Sequence, residues 1–392
     1  MTSSPSSPKY VSAQLSSPIP VVLTIAGSDS SGGAGIQADM KTISALGGFG
    51  CVAITAVTAQ NTRGVDGAQY MDPEFVAQQI QSVVDDYPID AIKIGMVGRS
   101  STAETITSTL KSLPFSVPVV WDPVMVASSG SSLVEGNSEV IDGFVELARS
   151  VDALTPNGRE LVGLCDMVDV PVPDVLRKHL AKLVGEAPGQ EKQKSGSVIT
   201  EPDSNTTEER NSAVDEGSSA THEVGRDETS TAEEKSLTSA IAEAASSLAE
   251  ALKTVIVVTG GPDNGFGDDG PQVTEVVADH GETVFLSHDR VDTTNTHGTG
   301  CTFSSALATY AARRAYEVEK DGLIGFDPTK NFAVDDWRAV VHDAATWTRE
   351  ALAAADTLDL AIGLHRNRDS NGTAEPAHIR GNAPLDHFWK YR

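Results

Sequence analysis

Short apolar runs rich in β-branched residues alternate with helix-periodic segments along most of this 392-residue chain. The first run is Val21–Ile25, and apolar residues then recur at helical spacing from Ile36 to Leu46. Strands that alternate with helices are typical of a parallel sheet with helices on both faces, joined by right-handed crossovers. We therefore predict an α/β fold, a three-layer α/β/α sandwich with a mostly parallel central sheet.

The alternation continues toward the carboxyl terminus. The predicted strands are Cys51–Val57, Ile89–Ile94, Val117–Trp121 and Thr254–Val258. The predicted helices are Pro73–Val84, Thr102–Leu113, Leu237–Leu252, Cys301–Tyr316 and Asp335–Ala354. Two further strands, Gln272–Val277 and Thr283–Leu286, alternate in the manner of a hairpin.

Composition narrows the classes of partner. The formal net charge of -26 disfavours nucleic acids and anionic membranes, because both are bound mainly through Lys and Arg side chains. No run of about 18 apolar residues is present, so no membrane span is predicted. Cys51, Cys165 and Cys301 are far apart and lack the paired spacing of metal sites or disulfide frameworks. We expect a reduced, cytoplasmic protein.

Two segments have the composition of disordered chain. Residues 1–19 are small and polar with several prolines, and residues 186–236 contain thirteen acidic and five basic residues but no aromatic residue. We predict a disordered tail at 1–19 and one folded domain at 20–392, with the acidic segment as a disordered insertion in a helical crossover.

The stretch Asn295–Ala308 is the strongest candidate for a reaction centre. Gly298, Thr299 and Gly300 precede a helix-periodic segment, and the exposed N–H groups and dipole of a helix start favour an anion such as phosphate. This positive potential lowers a thiol pKa from its usual value of roughly 8.5, so Cys301 is a candidate nucleophile or base. A plain turn before a packed helix, with the cysteine as a small buried residue, explains the same pattern.

Polar residues follow several predicted strands at the points where these strands end. Gln60, Asp122 and Asn157 each come just after an apolar run. Because ligands of parallel sheets bind outside the carboxyl ends of the strands, we expect these side chains and the Cys301 turn on one rim. Asp122 and Glu160, with the Asn157 amide, suit a Mg²⁺ ion that keeps most of its waters and bridges nucleotide phosphates.

Each of these residues also has a structural interpretation. Asp122 is equally typical of a turn or helix cap, and Glu160 of a partner of the helix dipole. Gln60 is able to hydrogen-bond a heterocycle edge or its own loop. His297, beside the glycine turn, is more typical of a structural residue than of a catalytic one. The glycine-rich segment Ala26–Gly35 matches neither the phosphate-loop nor the dinucleotide fingerprint.

Several blocks together carry a family resemblance. They are LTIAGSDSSGGAGIQADMKTISALGGFGCVAITAVTAQNTRGV from Leu23, KIGMVG from Lys93, DPVMVASSG from Asp122, LTPNGREL from Leu154 and NTHGTGCTFSSALA from Asn295. In this order they resemble the hydroxymethylpyrimidine/phosphomethylpyrimidine kinases of thiamine biosynthesis, in a fungal form without the thiaminase-II-like domain. The resemblance implies a ribokinase-like fold. It also implies an enzyme that uses ATP and Mg²⁺ to phosphorylate 4-amino-5-hydroxymethyl-2-methylpyrimidine to the monophosphate and then the diphosphate.

The resemblance also implies residue roles. The residues around the pyrimidine would be Gln60, Ala34, Asp39, Met96 and Val124. The catalytic group would be Cys301, where related sugar kinases carry an aspartate base, with an anion hole formed by Gly298, Thr299 and Gly300. The nucleotide and magnesium region would comprise Asp122, Asn157, Glu160, Thr259 and Gly261, with Asp122 and Glu160 acting on the metal through water. A homodimer is a further expectation.

Two positions depart from the pattern of bacterial relatives. Ser128 stands where they have the lysine of Ala-Lys-Ser-Gly, and Thr259 where they have that of Lys-Gly-Gly. Both lysines would have faced phosphates, so a non-catalytic pyrimidine or thiamine sensor is one alternative. A pyridoxal- or pyridoxine-type kinase is the other, because it binds a related heterocyclic alcohol in a similar pocket.

Overall fold

One mixed sheet forms the middle of the computed structural model, which describes residues 18–124, 141–183, 228–261, 271–279, 281–293, 295–320, 332–355 and 384–391. Its strands are β1 Val21–Asp29, β2 Phe49–Asn61, β3 Gly64–Tyr70, β4 Ala91–Ile94, β5 Val119–Trp121, β6 Ala153–Leu154, β7 Val255–Val258, β8 Gln272–Asp279 and β9 Glu282–Asp289. Within the described residues the strand order is β3-β2-β1-β4-β5-β6-β7-β8-β9.

The pairing is parallel through the centre of the sheet and antiparallel at its edges. β2, β1, β4, β5, β6 and β7 pair in parallel. β3 runs antiparallel to β2 at one edge, and the hairpin of β8 and β9 continues antiparallel from β7 at the other. The prediction of a mostly parallel sheet is therefore confirmed, and its parallel strands end at a common edge.

The helices cover both faces of this sheet. They are α1 Gly35–Ala45, α2 Pro73–Val84, α3 Ser100–Ser112, α4 Ile141–Ala148, α5 Gly158–Met167, α6 Asp174–Leu183, α7 Glu228–Leu252, α8 Thr299–Lys320 and α9 Val334–Ala355. A short 3-10 helix, Trp389–Tyr391, follows. Of the helices that the structure describes, none is long and apolar enough to cross a membrane.

Alternate residues of β1 bury into opposite layers, as the pleat of a strand requires. Leu23 belongs to the hydrophobic core with Ile80 of α2 and Leu248 of α7. Val22, its neighbour, belongs to the second core with Ile43 of α1 and Ala311 of α8. Helices α2 to α7 thus pack on one face and α1, α8 and α9 on the other, which confirms the three-layer sandwich.

Two of the differences from the sequence prediction have a clear physical reason. β3 was not predicted, because Gly64–Tyr70 is small and polar without apolar alternation; pairing with β2 holds it at the edge. Helix α7 begins at Glu228, so residues 228–236 of the predicted disordered insertion are helical, in keeping with their content of Ala, Glu and Lys. Residues 1–17 of the predicted tail and 186–227 of the insertion lie outside the described residues.

Candidate active site

The glycine turn opens α8, as the sequence predicts. Gly298 has a φ of 87°, and a Cβ at this position would overlap the Gly33 carbonyl oxygen. The Thr302 N–H closes the first helical hydrogen bond on Gly298 O at 2.9 Å, while the Thr299 N–H donates to Thr296 O at 3.2 Å. The turn therefore packs directly on the loop after β1, and glycine is required for this approach.

Asp29 and His297 connect the loop after β1 to the turn before α8. His297 Nε2 lies 3.0 Å from Asp29 Oδ2, and both residues are buried. The same carboxylate accepts the N–H groups of Ser31 and Ala34, each at 2.8 Å. Burial alone would raise the pKa of Asp29, but these hydrogen bonds outweigh it and lower the pKa to about 2. This contact is of the structural kind that the sequence favours for His297.

A buried ion pair lies behind the turn. Lys93 Nζ of β4 is 2.9 Å from Asp39 Oδ1 and 3.1 Å from Oδ2, and both side chains are 0% exposed. The hydroxyls of Thr24 and Ser305 donate to the same carboxylate at 2.6 and 2.7 Å. Desolvation opposes the charge of Lys93, but the carboxylates of Asp39 and Asp122 hold its pKa above the usual value. The interior of the site thus contains a permanent cation.

Cys301 and Asp122 meet beside this cation. The Cys301 thiol and the Ser304 hydroxyl both hydrogen-bond the Asp122 carboxylate, the latter at 3.3 Å. Burial raises the pKa of Asp122 to about 6 against the opposing attraction of Lys93. A Cβ at Gly300 would lie 3.6 Å from Asp122 Oδ2, so the carboxylate faces the start of α8. These contacts bring three of the predicted site residues together.

The environment of the Cys301 thiol reverses one expectation. Desolvation raises its pKa to about 12, with Asp122 and Asp39 adding to the effect and Lys93 opposing it. The prediction that the helix start lowers this pKa is therefore wrong in this environment. Desolvation of the buried thiol, with the two carboxylates adding to it, opposes the helix dipole, which is worth about 1 kcal/mol or less in most settings.

The residues predicted around the pyrimidine have different environments. Met96 and Val124 pack with Ala56 in a small apolar cluster. Gln60 stands at the end of β2, where its side-chain oxygen accepts the Thr58 hydroxyl at 3.0 Å. Met96, Val124 and the Gln60 amide thus lie near the carboxyl ends of strands of the parallel sheet.

Ala34 and Asp39, the other two residues predicted to contact the pyrimidine, form hydrogen bonds within the protein. Ala34 precedes α1, and its N–H is taken by the Asp29 carboxylate at 2.8 Å. Asp39 is wholly buried, and its carboxylate is engaged by Thr24, Lys93 and Ser305. Both residues shape the site from behind the turn, and a direct contact with substrate stays a prediction for each.

Asn157 and Glu160 form a capping box at the start of α5. The Asn157 side chain accepts the N–H of Arg159 at 2.9 Å and of Glu160 at 3.1 Å, and Glu160 Oε2 accepts the Asn157 N–H at 2.9 Å. The Thr259 N–H donates to Pro156 O at 3.0 Å, which places the end of β7 beside this turn. Gly261 follows with a φ of 131°. The capping role is present, and the magnesium role stays a prediction.

The comparisons with known proteins agree with this geometry. A family model described as phosphomethylpyrimidine kinase matches residues 29–188 and 227–319. This chain belongs to the phosphomethylpyrimidine kinase family. The hydroxymethylpyrimidine/phosphomethylpyrimidine kinase of Escherichia coli is 32% identical, over 87% of the chain and 94% of that protein. The thiamine biosynthesis multifunctional protein ThiED of Corynebacterium efficiens is 33% identical over 94% of the chain, which spans only 38% of that protein's length.

The fold is the ribokinase-like fold that the family resemblance implies. A pyridoxal kinase from Staphylococcus aureus in complex with ADP superposes with a TM-score of 0.57 at 19% identity, over 96% of each chain. At this level of identity the likeness concerns the fold alone.

Lys93 and His387 lie at the site but were not predicted from the sequence. Lys93 had a signal, because a lysine inside the apolar strand Ala91–Ile94 needs a buried partner. His387 had none; its Nε2 lies 3.0 Å from Thr302 Oγ1, and it lies beyond the residues that the family model matches. The Ser128 replacement lies outside the described residues.

Proposed function

We propose that this chain is an ATP-dependent kinase of thiamine biosynthesis. It phosphorylates 4-amino-5-hydroxymethyl-2-methylpyrimidine to the monophosphate and then to the diphosphate. Family membership supports the class of reaction. The observation that carries the proposal is the start of α8, where Gly300 faces the Asp122 carboxylate and the Cys301 thiol hydrogen-bonds that same carboxylate.

The turn at Gly298 serves the transferring phosphoryl group. The first N–H groups of a helix lack intrahelical partners. The Thr299 N–H is already used on Thr296 O, so we assign the anion-binding donors to the amides of Gly300 and Cys301, just before the first helical bond at Thr302. Phosphoryl transfer depends mainly on positioning and on stabilising charge at the equatorial oxygens, which such preorganised amides do. Lys93 adds a fixed positive charge behind them.

Met96 and Val124 supply an apolar wall for the flat heterocycle, and Gln60 reads its edge. The Gln60 amide offers both a donor and an acceptor, which matches a ring nitrogen beside an amino group. To bind in this way, the Gln60 oxygen exchanges its hydrogen bond with the Thr58 hydroxyl for one with the substrate.

In the first step the acceptor hydroxyl must lose a proton. We propose that Cys301 meets this hydroxyl. Because its thiol has a pKa raised to about 12 and already hydrogen-bonds Asp122, the sulfur gains the substrate proton as the thiol proton moves to the Asp122 carboxylate. In the second step the acceptor is a phosphate that is already an anion, so no such transfer is needed.

The nucleotide would be held with Mg²⁺ at the ends of β5 and β6, where Asp122 and Glu160 follow neighbouring strands. Among the described residues no cluster of three or more His, Cys, Asp or Glu side chains is arranged to hold a metal. Asp122 and Glu160 would hold the ion through water. When bound, the ion neutralises phosphate charge.

A substrate panel tests the proposal. Purified protein is supplied with ATP, Mg²⁺ and either the hydroxymethylpyrimidine, pyridoxal or pyridoxine, and kcat/KM is compared. We expect the pyrimidine to be strongly preferred. A preference for pyridoxal overturns the assignment, as does pyrimidine binding without turnover of any alcohol, which indicates a sensor. We also propose a cytoplasmic location and a homodimer. Sedimentation analysis of the purified protein tests the homodimer.

A further inference from the structure

The segment Pro384–Tyr391 packs against the opening of α8. His387 Nε2 lies 3.0 Å from Thr302 Oγ1, and these residues are 4% and 0% exposed. Thr302 directly follows Cys301, and its N–H forms the first helical hydrogen bond on Gly298 O at 2.9 Å. His387 thus contacts the residue that closes the proposed anion-binding turn.

A second contact of Pro384–Tyr391 with the turn is made by Pro384. Pro384 pairs with His297 in an isolated parallel bridge. A Cβ at Gly33 would lie 3.2 Å from the Pro384 side chain, and His297 is itself fastened to Asp29. The segment therefore touches both loops that form the site.

Contacts with α9 anchor the segment in addition to its contacts with the turn. Leu385 is 2% exposed and belongs to the core between the sheet and α8 and α9. The Asp386 N–H donates to Ala351 O at 3.2 Å. The His387 ring lies 6.4 Å from the Trp347 ring. These anchors hold His387 in place independently of Thr302.

The chemistry of His387 suits a fixed acceptor. Burial, with the nearby charge of Lys41, lowers its pKa to about 4, so the ring is neutral at pH 7. The ring also hydrogen-bonds the Leu385 carbonyl. A neutral ring with its proton on Nδ1 has Nε2 available to accept the Thr302 hydroxyl.

We propose that His387 is a positioning residue for phosphoryl transfer, and that Pro384–His387 works as a clasp that sets the orientation of the amides of Gly300 and Cys301. The inference rests on the proposed function. Small displacements of transition-state donors are costly, since a misplacement of about 1 Å can cost ~100-fold in rate. The clasp lies beyond the residues matched by the family model, which end at 319.

Three variants test the clasp. His387→Phe removes the acceptor and keeps a ring, and His387→Gln places an amide oxygen near the position of Nε2. Lys390→Ala is the matched control, because it removes an ion pair of the same segment with Glu350, at 3.3 Å, without touching the turn. We expect His387→Phe to lower kcat by about tenfold or more with KM for the pyrimidine within about twofold. His387→Gln should recover most of kcat, and Lys390→Ala should match the wild type.

A double-mutant cycle with Thr302→Val identifies the contact. If the hydrogen bond acts as one unit, His387→Phe adds little to the loss already caused by Thr302→Val. Losses that multiply independently overturn the inference, and so does a His387→Phe kcat close to that of the wild type. Failure of His387→Gln to recover more kcat than His387→Phe also overturns it.

Hydrogen exchange separates this inference from the proposed function. In the protein without substrate, we expect His387→Phe to speed exchange of the amides at 299–303 while Lys390→Ala leaves them unchanged. If the wild type phosphorylates no pyrimidine yet this exchange difference appears, the clasp stands and the proposed function fails. If the wild type is an active kinase and neither exchange nor kcat responds to His387→Phe, the clasp alone is overturned.

Discussion

Lys93 Nζ lies 2.9 Å from Asp39 Oδ1 with neither side chain exposed, and this pair joins β4 to α1 directly behind Cys301 and Asp122. Both charges are removed from water here, and the Thr24 and Ser305 hydroxyls donate further hydrogen bonds to the Asp39 carboxylate. A buried pair of this kind adds little net stability, yet removal of one partner leaves an unpaired charge. The pair therefore gives the site a fixed charge of defined position.

Lys93→Met should lower the free energy of unfolding by about 3–5 kcal/mol, because Asp39 is left buried without its cation. The double variant Lys93→Met/Asp39→Asn should lose less than the sum of the single variants. Urea unfolding measures both. Lys253→Ala is the control, since it breaks an exposed pair with Glu250, at 2.8 Å, and such pairs are worth about 1 kcal/mol or less. Equal losses for Lys93→Met and Lys253→Ala would contradict this description.

Gly298→Ala should abolish most activity, because a Cβ there overlaps the Gly33 carbonyl and displaces the turn. Gly281→Ala is a matched control with nearly the same φ, 86° against 87°, and nothing within 4 Å of an added Cβ. Both variants should lose about 1–2 kcal/mol of stability from the left-handed backbone, and Gly298→Ala should lose more because its Cβ overlaps the Gly33 carbonyl. Only Gly298→Ala should lose turnover, and full turnover in that variant would refute the close packing of the two loops.

The Asp29 carboxylate should make stability fall at low pH. Its pKa in the folded protein is about 2, below the ordinary 3.8, so its contribution is complete above about pH 4 and is lost as pH falls through 2. The difference corresponds to about 2 kcal/mol. Asp29→Asn should be less stable than the wild type at pH 6 and should lose less stability between pH 4 and 2. Parallel curves for the two proteins, from denaturant unfolding at each pH, would argue against the depressed pKa.

Cys301→Ala should slow the first phosphorylation more than the second. The hydroxymethyl acceptor must lose a proton, whereas the phosphate acceptor is already an anion. Single-turnover rates, started separately from the hydroxymethylpyrimidine and from its monophosphate, measure the two steps. Equal losses in both steps refute a role in proton transfer and leave Cys301 a positioning role.

The sequence predicts the parts of the fold whose signals are local. Val21–Ile25 and the stripe from Ile36 to Leu46 are found as β1 and α1, because burial of one strand and one helix face leaves a regular apolar pattern. β3 was missed since its edge position depends on pairing with β2 and not on apolar residues of its own. The start of α7 was placed too late because an acidic, polar composition outweighed helix propensity in the prediction.

The sequence predicts that the Gly298 turn and Asp122 lie together, but it does not predict the electrostatics around them. The turn at Gly298 and the rim residue Asp122 were identified from glycine and strand-end signals. The pKa of Cys301 was predicted with the wrong sign, because the burial that desolvates the thiol, and the approach of the Asp122 and Asp39 carboxylates, arise only in the folded chain. His387 is far from Thr302 in sequence, and a lone histidine in a polar terminal segment gives no indication of its contact.

Time-resolved product analysis tests the central claim most directly. Purified protein is mixed with ATP, Mg²⁺ and 4-amino-5-hydroxymethyl-2-methylpyrimidine, and the monophosphate and diphosphate are separated at each time. The account predicts that the monophosphate rises first and then declines as the diphosphate accumulates. Monophosphate that never proceeds to diphosphate, or no phosphorylated product at all, would contradict the assignment of both steps to this chain.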